Sequence, residues 1–172
     1  MQLAPCRLAE HGAAILEILN DAIATSTALY DYAPRAPESM VGWFEAKRAG
    51  DFPVWGAFDA EQLLGFATYG TFRAWPAYKY SVEHSVYVSR AARGRGVGQS
   101  LMRRLIESAL EQQKHVLIGG IDADNHASRA FHEKLGFVHA GTVKQAGFKF
   151  GRWLDLAFYQ LILATPSEPT DG

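Results

Sequence analysis

A glycine-rich loop between a strand and a helix constrains the fold of this chain more than any other stretch. The loop carries Gly94, Gly96 and Gly98, and it lies between an extended run at 82–88 and an amphipathic helical pattern at 98–113. Glycine exposes backbone N–H groups, and a helix N-terminus adds unpaired amides and a positive dipole. We therefore interpret the loop as a binding site for an anion, and specifically for a pyrophosphate.

Two other glycine motifs can be compared with this loop by their spacing. Arg93 and Arg95 add positive charge to it, but Gly96 and Gly98 stand closer together than the second and third glycines of the dinucleotide-binding pattern. The chain also lacks the G-x-x-x-x-G-K-[ST] pattern of a P-loop. A flexible turn that caps a helix would use the same glycines. The spacing alone leaves a ligand site and a structural turn open.

The remaining sequence alternates between extended and helical patterns. Helical periodicity marks 13–23, a segment that starts at Glu38 or Ser39, 98–113 and 127–134, while extended runs occupy 3–7, 53–58, 62–69, 82–88, 116–121, 141–149 and 153–163. This order predicts an α/β (α+β) fold with a central mixed, largely antiparallel twisted sheet and helices on both faces. Gly50 is expected to end the second helix in a left-handed conformation.

The composition sets the number of domains and excludes some partners. The 172 residues suffice for one domain, predicted at 1–163 and followed by a flexible tail at 164–172. The formal charge of −1 argues against a nucleic-acid partner, and no apolar run reaches the roughly 20 residues that span a bilayer. Cys6 is the only cysteine, which suits a reducing compartment, so we expect a cytoplasmic protein without a membrane partner. The histidine spacing predicts no metal site.

Two motifs carry a resemblance to a known family. Arg93-x-x-Gly96-x-Gly98 resembles the [QR]-x-x-G-x-[GA] motif of the GCN5-related N-acetyltransferases (GNAT), and 125–137 resembles the family's second signature, an Asn followed by a helix that ends in Gly-Phe. The stretches 81–88, 146–155 and 25–27 are similar to the branch that acetylates phosphinothricin and methionine sulfoximine.

This resemblance implies a fold, a cosubstrate and an oligomeric state. It implies the GNAT fold, acetyl-CoA as cosubstrate, no metal, a small amino-acid-like substrate and a homodimer. The residues that it implies for cofactor binding are Val86, Tyr87 and Val88, whose main chain would pair with the pantetheine arm, and Arg93, Gly94, Arg95, Gly96, Val97, Gly98, Gln99, Asn125 and Ser128. Asn125 precedes a predicted helix, so a helix N-cap is an alternative or additional role.

The chemistry of N-acetylation requires a proton acceptor, because an amine attacks a thioester only as the free base. Glu83 is the candidate general base, since it interrupts an uncharged strand and matches the branch's proposed catalytic glutamate; an outward-facing carboxylate is the alternative. Burial would raise its pKa. His132 occupies the place of the family's general-acid tyrosine, and it can equally be a helix histidine with a structural role.

The substrate residues are predicted from an aromatic loop with one cation. Arg73 can bind a carboxylate or a phosphinate in bidentate fashion. His84 should point to the face opposite Glu83, because side chains alternate along a strand, unless a bulge intervenes. The candidate substrate-binding residues are Tyr30, Arg73, Ala74, Trp75, Tyr78, Glu83, His84 and Ser85. A solvent-exposed loop with scattered aromatic residues is the alternative.

The preferred function is acetyl transfer from acetyl-CoA to the α-amino group of phosphinothricin, methionine sulfoximine or methionine sulfone. A second hypothesis keeps the acetyl donor and changes the acceptor to a polyamine, an antibiotic amine or a protein N-terminus. A third is a catalytically weak sensor that binds acyl-CoA. The sequence leaves open whether acetylation would serve metabolism or the detoxification that underlies antibiotic and herbicide resistance.

Overall fold

The computed structural model describes residues 1–171 and builds them into one seven-stranded sheet and four α-helices. The strands are β1 Gln2–Pro5, β2 Val54–Asp59, β3 Gln62–Thr71, β4 Ser81–Val88, β5 Val116–Asp122, β6 Val138–Lys149 and β7 Arg152–Ile162. The helices are α1 Leu8–Thr25, α2 Ser39–Ala49, α3 Val97–Glu111 and α4 His126–Lys134, with short 3-10 helices at Pro76–Tyr78 and Arg90–Ala92. The predicted mixed α/β fold is confirmed.

The sheet opens between its two parallel strands. The strand order is β1-β2-β3-β4-β5-β7-β6, and β4 pairs with β5 in parallel while all other neighbours are antiparallel. The β4–β5 register ends at the Glu83–Ile118 pair, whereas β5 continues along β7 to Asp122. The second half of β4 therefore leaves its edge towards β5 free.

Helices cover the sheet on both faces, each over its own apolar cluster. Val97, Leu101 and Leu105 recur every four residues along α3 and are buried. They belong to an apolar cluster that also contains residues of the sheet and packs against α4. Ile15 and Leu19 follow the same spacing in α1, which packs with α2 on a separate cluster. Each such buried aliphatic side chain contributes about 1.5–3 kcal/mol relative to an exposed one.

One glycine prediction is wrong. Gly50 has a φ of −88° and makes no left-handed cap; Asp51 takes the positive φ of 52° instead. Aspartate tolerates this conformation better than most residues, and Gly50 is needed because the ring of Phe52 occupies the space of a β-carbon there. Gly136, at φ 91°, ends α4 as predicted.

The segment after β7 has no regular secondary structure between 163 and 171. The Thr165 hydroxyl donates a hydrogen bond to the Lys114 carbonyl at 2.6 Å, and the Thr170 N–H donates to the Tyr80 hydroxyl at 3.1 Å. The division into a domain at 1–163 and a flexible tail stays a prediction. Within residues 1–171, no helix combines the length and apolar character that crossing a membrane requires.

Candidate active site

Two adjoining cavities lie where β4 diverges from β5. The first, the strand cavity, has a volume of about 310 Å³ and is lined by residues 28–30, 83–87, 119–122, Asn125, Ser128, His132 and Leu156. The second, the glycine cleft, has a volume of about 740 Å³ and is lined by Val86, Val88, 92–94, 96–99, Ala127, Ser128, 130–131 and 134–135. Val86 and Ser128 line both cavities, so the two are neighbours along one path.

The glycine cleft offers main-chain donors at the start of α3. Gly94 and Gly96 adopt φ values of 75° and 77°, and no atom lies within 4 Å of the place that a β-carbon would take at either. Gly96 is also the N-cap of α3 and makes no side-chain cap. The amides of the first helical turn, at 97–99, are therefore available to a ligand at the positive end of the helix dipole.

The predicted arginines differ in their relation to this cleft. Arg93 lines it, and its Nη2 lies 3.7 Å from Oδ2 of Asp21. Arg95 is not among the lining residues, and its Nη2 lies 3.5 Å from Oδ2 of Asp59. Both guanidinium groups are more than half exposed, so each can swing towards an anion at small energetic cost.

Asn125 caps the second helix of the site. Its side-chain Oδ1 accepts a hydrogen bond from the Ser128 N–H at 3.0 Å. This bond confirms the predicted N-cap role and fixes the start of α4 beside both cavities. Ligand contacts of Asn125 and Ser128 stay a prediction.

Glu83 lies in the strand cavity at the last residue pair that joins β4 to β5. Burial raises the pKa of its carboxyl group above the ordinary value, and the positive charge of Arg73 partly opposes that shift. A carboxylate with a raised pKa in a cavity is suited to accept a proton.

His84 and His132 lie together on the other side of the strand. Their rings stack with centroids 5.0 Å apart, and the Phe137 ring packs edge-on against both. Both ring nitrogens of His84 and Nε2 of His132 are buried without a hydrogen-bond partner among residues 1–171. Burial lowers the pKa of His132 and, with the added effect of His132, lowers the pKa of His84 to about 3, so both rings are neutral.

The hydrogen bond of His132 fixes its tautomer. Nδ1 lies 2.7 Å from the Ser128 carbonyl oxygen. Because a carbonyl only accepts, Nδ1 carries the proton, and Nε2 of the neutral ring is an acceptor. Nε2 of His132, a buried atom, therefore carries a lone pair that is free to accept a hydrogen bond.

Two adjacent glycines of β5 keep the site clear on each face of the sheet. A β-carbon on Gly119 would lie 2.7 Å from His84 Nε2 and 3.3 Å from His132 Nε2. A β-carbon on Gly120 would lie 3.2 Å from Oε1 of Glu83. No role was predicted for this pair, although two glycines inside a strand are a signal of close approach.

The predicted substrate residues fall into two groups. Tyr30, Glu83, His84 and Ser85 meet in the strand cavity. Arg73, Ala74, Trp75 and Tyr78 line a separate cavity of about 250 Å³. Within this single chain, none of the second group lines the cavity of Glu83. Only the charge of Arg73 reaches the Glu83 carboxylate, where it lowers the pKa.

Asp122 is a polar residue of the strand cavity that belongs to none of the sequence motifs. Burial raises its pKa, but hydrogen bonds from Thr27, from the Asp124 N–H and from Arg152 outweigh this and hold the pKa below its ordinary value. The Arg152 Nη2 lies 2.8 Å from Oδ2 of Asp122. The carboxylate is therefore fixed and ionised. Within residues 1–171, no three His, Cys, Asp or Glu side chains are placed to hold a metal ion.

Known proteins resemble this chain over nearly its whole length. The sequence model of the Acetyltransferase (GNAT) family matches residues 15–137. The L-amino acid N-acyltransferase MnaT of Escherichia coli is 40% identical over 157 residues, which cover 91% of each chain. The L-methionine sulfoximine/L-methionine sulfone acetyltransferase of Pseudomonas paraeruginosa is 43% identical over 150 residues, 87% of each chain. The solved structure of a GNAT superfamily phosphinothricin acetyltransferase from Sinorhizobium meliloti in complex with AcCoA has a TM-score of 0.93 at 32% identity, and it covers 99% of this chain and 94% of that one.

Proposed function

We propose that this chain, which belongs to the acetyltransferase (GNAT) family, moves the acetyl group of acetyl-CoA to the α-amino group of a small L-amino acid or analogue. Family membership makes the chain an N-acyltransferase. The acceptor class rests on relatives named for methionine sulfoximine, methionine sulfone and phosphinothricin. The observation that carries the proposal is the junction at Val86 and Ser128, where a main-chain anion site adjoins the cavity of Glu83.

The glycine cleft fits a coenzyme A thioester along its length. The amides at 94–99 are suited to hold the diphosphate, with Arg93 and Arg95 as added charges. The free edge of β4 at 86–88 can pair with the amide groups of the pantetheine arm like an added strand. Asn125 and Ser128 are the candidates for the thiol end. The bound acetyl-CoA would supply a thioester carbonyl and a thiolate leaving group, which would take up the second proton that the attacking nitrogen loses.

Glu83 is proposed to accept the proton of the acceptor's ammonium group, directly or through water. An α-amino group is mostly protonated at neutral pH, so its nitrogen needs a base before it can attack. The raised pKa of Glu83 brings its basicity closer to that of the amine. The Glu83 carboxylate lies beside Gly120, which adds no side chain of its own to the space between Glu83 and Leu156.

His132 is proposed to act on the coenzyme sulfur from the strand cavity, next to Ser128, where the cavity adjoins the cleft. Its Nδ1 proton is engaged by the Ser128 carbonyl, so Nε2 can accept a hydrogen bond from a thiol. As a general acid it would have to be an imidazolium, which burial disfavours. His84, stacked on it and equally neutral, keeps this end of the site free of charge.

The strand cavity is proposed as the acceptor site. Its volume of about 310 Å³ suits an amino acid, and Tyr30, Ser85 and Asp122 add polar groups to its lining beside Glu83. Arg73 is the proposed partner of the acceptor's acidic group, since its charge already acts on Glu83.

A homodimer is part of the proposal because large apolar side chains are exposed around the edge strand β6. Phe148, Phe150 and Trp153 are 45%, 58% and 58% exposed, and Trp75 is 67% exposed. A second copy would cover such a surface. Light scattering at micromolar concentration should give twice the chain mass; the mass of one chain would contradict the dimer.

We also propose a cytoplasmic location, as the composition suggests. Cys6 is half-buried, and burial raises the pKa of its thiol to about 12, so it stays an unreactive thiol. Fractionation of the native cells with an antibody against the chain tests this location.

Release of the free thiol from acetyl-CoA tests the acceptor assignment. The panel comprises L-methionine sulfoximine, L-methionine sulfone and phosphinothricin, with spermidine and a peptide N-terminus as contrasting amines. Turnover with the amino-acid analogues supports the proposal. Tight acetyl-CoA binding without turnover of any amine would favour a sensor, and turnover restricted to spermidine or the peptide would assign another acceptor.

A further inference from the structure

Lys149 is a buried lysine whose ammonium group is fully occupied by main-chain acceptors. Its side chain lies at the end of β6, and the residue is 4% exposed. Nζ donates to the carbonyl oxygens of Ile23 at 2.7 Å, Ser26 at 3.0 Å and Leu29 at 2.6 Å. An ammonium group has three N–H donors, and all three are engaged. Lysine is rarely buried to this degree unless it has partners. The burial of Lys149 therefore depends on the three carbonyl groups that it binds.

The three carbonyls belong to one short stretch of chain. Ile23 lies in the last turn of α1, and Ser26 and Leu29 follow in the loop towards α2. The last turn of α1 carries no basic residue of its own. Lys149, although distant in sequence, therefore places a positive charge at the C-terminal end of α1, where the helix dipole is negative and a cation is stabilising.

The same loop forms one wall of the strand cavity. Ala28, Leu29 and Tyr30 line that cavity together with Glu83. The end of β6 holds the loop at two further points: the Tyr30 ring packs so closely on Gly147 that a β-carbon there would lie 2.8 Å from Cε2, and the Tyr32 hydroxyl donates to the Phe148 carbonyl at 2.8 Å.

We infer that Lys149 is a positioning residue of the acceptor site, which holds the 26–30 loop at the distance from Glu83 that acetyl transfer to a small amino acid requires. Lys149 touches neither the acceptor nor the cofactor; it acts through the loop. The glycine cleft contains no residue of this loop, so the effect is confined to the acceptor. The inference rests on the proposed function of the strand cavity.

Replacement of Lys149 separates acceptor binding from cofactor binding. Lys149→Met removes all three donors at similar length, and Lys149→Gln keeps an amide donor for part of them. We expect Lys149→Met to raise KM for the acceptor at least roughly tenfold, because displacing a wall of the site misplaces the bound amine. The acceptor KM of Lys149→Gln should lie between the values for Lys149→Met and the wild type. Kd for acetyl-CoA should change less than about twofold in both variants, because no residue that lines the glycine cleft moves.

Lys144→Met is the matched control, because Lys144 lies on the same strand, is exposed and pairs with the Asp155 carboxylate at 2.7 Å. It should leave both constants unchanged. An unchanged acceptor KM in Lys149→Met, or an equal loss of acetyl-CoA affinity, would overturn the inference.

Hydrogen exchange tests the role of Lys149 without any turnover. Amides at 26–30 should exchange faster in Lys149→Met than in Lys144→Met, while amides at 97–105 should exchange alike. Equal exchange at 26–30 would overturn the inference. If the wild type acetylated no amine, the proposed function would fail, and the exchange comparison would still decide whether Lys149 holds the loop.

Discussion

The glycine cleft and the strand cavity share Val86 and Ser128 but are built in different ways. Most of the cleft comes from one continuous stretch, 86–99, and it offers main-chain amides to a ligand. The strand cavity combines the α1–α2 loop, β4, β5, α4 and β7, and it works through side chains with shifted pKa values. The difference teaches how the proposed roles divide: main-chain amides suit the cleft to hold a cofactor in place, whereas side chains suit the cavity to select the amine.

Glu83→Gln should separate the two regions most strongly. Removal of a general base lowers kcat by about 100- to 10,000-fold. Kd for acetyl-CoA should remain that of the wild type, because Glu83 does not line the cleft. Steady-state kinetics and calorimetry measure both quantities, with the exposed Glu61→Gln as control. A kcat within threefold of the wild type would remove Glu83 from the mechanism.

Gly96→Phe should affect the cleft alone. A side chain there takes the space before the α3 amides, so acetyl-CoA affinity should fall roughly tenfold or more, the equivalent of losing one hydrogen bond to a charged group. Gly151→Phe is the matched control, since Gly151 also has a positive φ of 73° and open space but lies in the β6–β7 turn.

Both phenylalanine variants should lose a similar stability, roughly 1–2 kcal/mol for the left-handed backbone. Chemical denaturation measures this loss. Equal acetyl-CoA affinities in Gly96→Phe and Gly151→Phe would show that the glycine loop is only a turn.

The glycine pair of β5 permits a test one residue apart. Gly119→Ala presses on the buried His84, which should cost about 1–3 kcal/mol of stability by overpacking. Gly120→Ala presses on Glu83 and Leu156 instead, so it should lower kcat severalfold, by an amount comparable to a slight misplacement of the base. Denaturation and kinetics on both variants check the expectation. If stability and kcat changed alike in both variants, the two faces of the sheet would not have separate effects.

The smallest expected effect is a gain of stability in Glu83→Gln. The folded chain binds the Glu83 proton more tightly than the unfolded chain, so wild-type stability falls as pH rises from the ordinary glutamate pKa through the raised one. Glutamine has no proton to lose. Glu83→Gln should therefore unfold at a higher temperature than the wild type at pH 7.5 and at the same temperature at pH 3.5. A lower unfolding temperature at pH 7.5 would contradict the raised pKa.

The same contrast explains what the sequence predicted. The cleft lies in a local strand–loop–helix pattern, and the positive φ values of Gly94 and Gly96 agree with that prediction. The opposite faces of Glu83 and His84 follow from strand alternation. Both features, the glycine loop and the alternation along β4, depend only on residues that are close together in the sequence.

The missed features depend on contacts between distant segments. Asp122 belongs to no motif and gains its role from Thr27 and Arg152. Lys149 lies in the 146–155 stretch that resembles the branch and is a sequence candidate for shaping the substrate pocket, but the carbonyls that it holds lie more than a hundred residues earlier. The composition of the Trp75 loop and the branch resemblance predict a substrate role for it; within a single chain the loop lines another cavity, so this role stays a prediction. Periodicity and motif spacing do not reveal which segments, distant in sequence, come into contact in the folded chain.

A crystal structure with CoA and L-methionine sulfoximine tests the central claim most directly. The account predicts the diphosphate against the amides at 94–99, the thiol near Ser128, and the acceptor's amino nitrogen within hydrogen-bond reach of the Glu83 carboxylate or of one water bound to it. A diphosphate bound elsewhere, or an amino nitrogen on the far side of the sheet from Glu83, would contradict it.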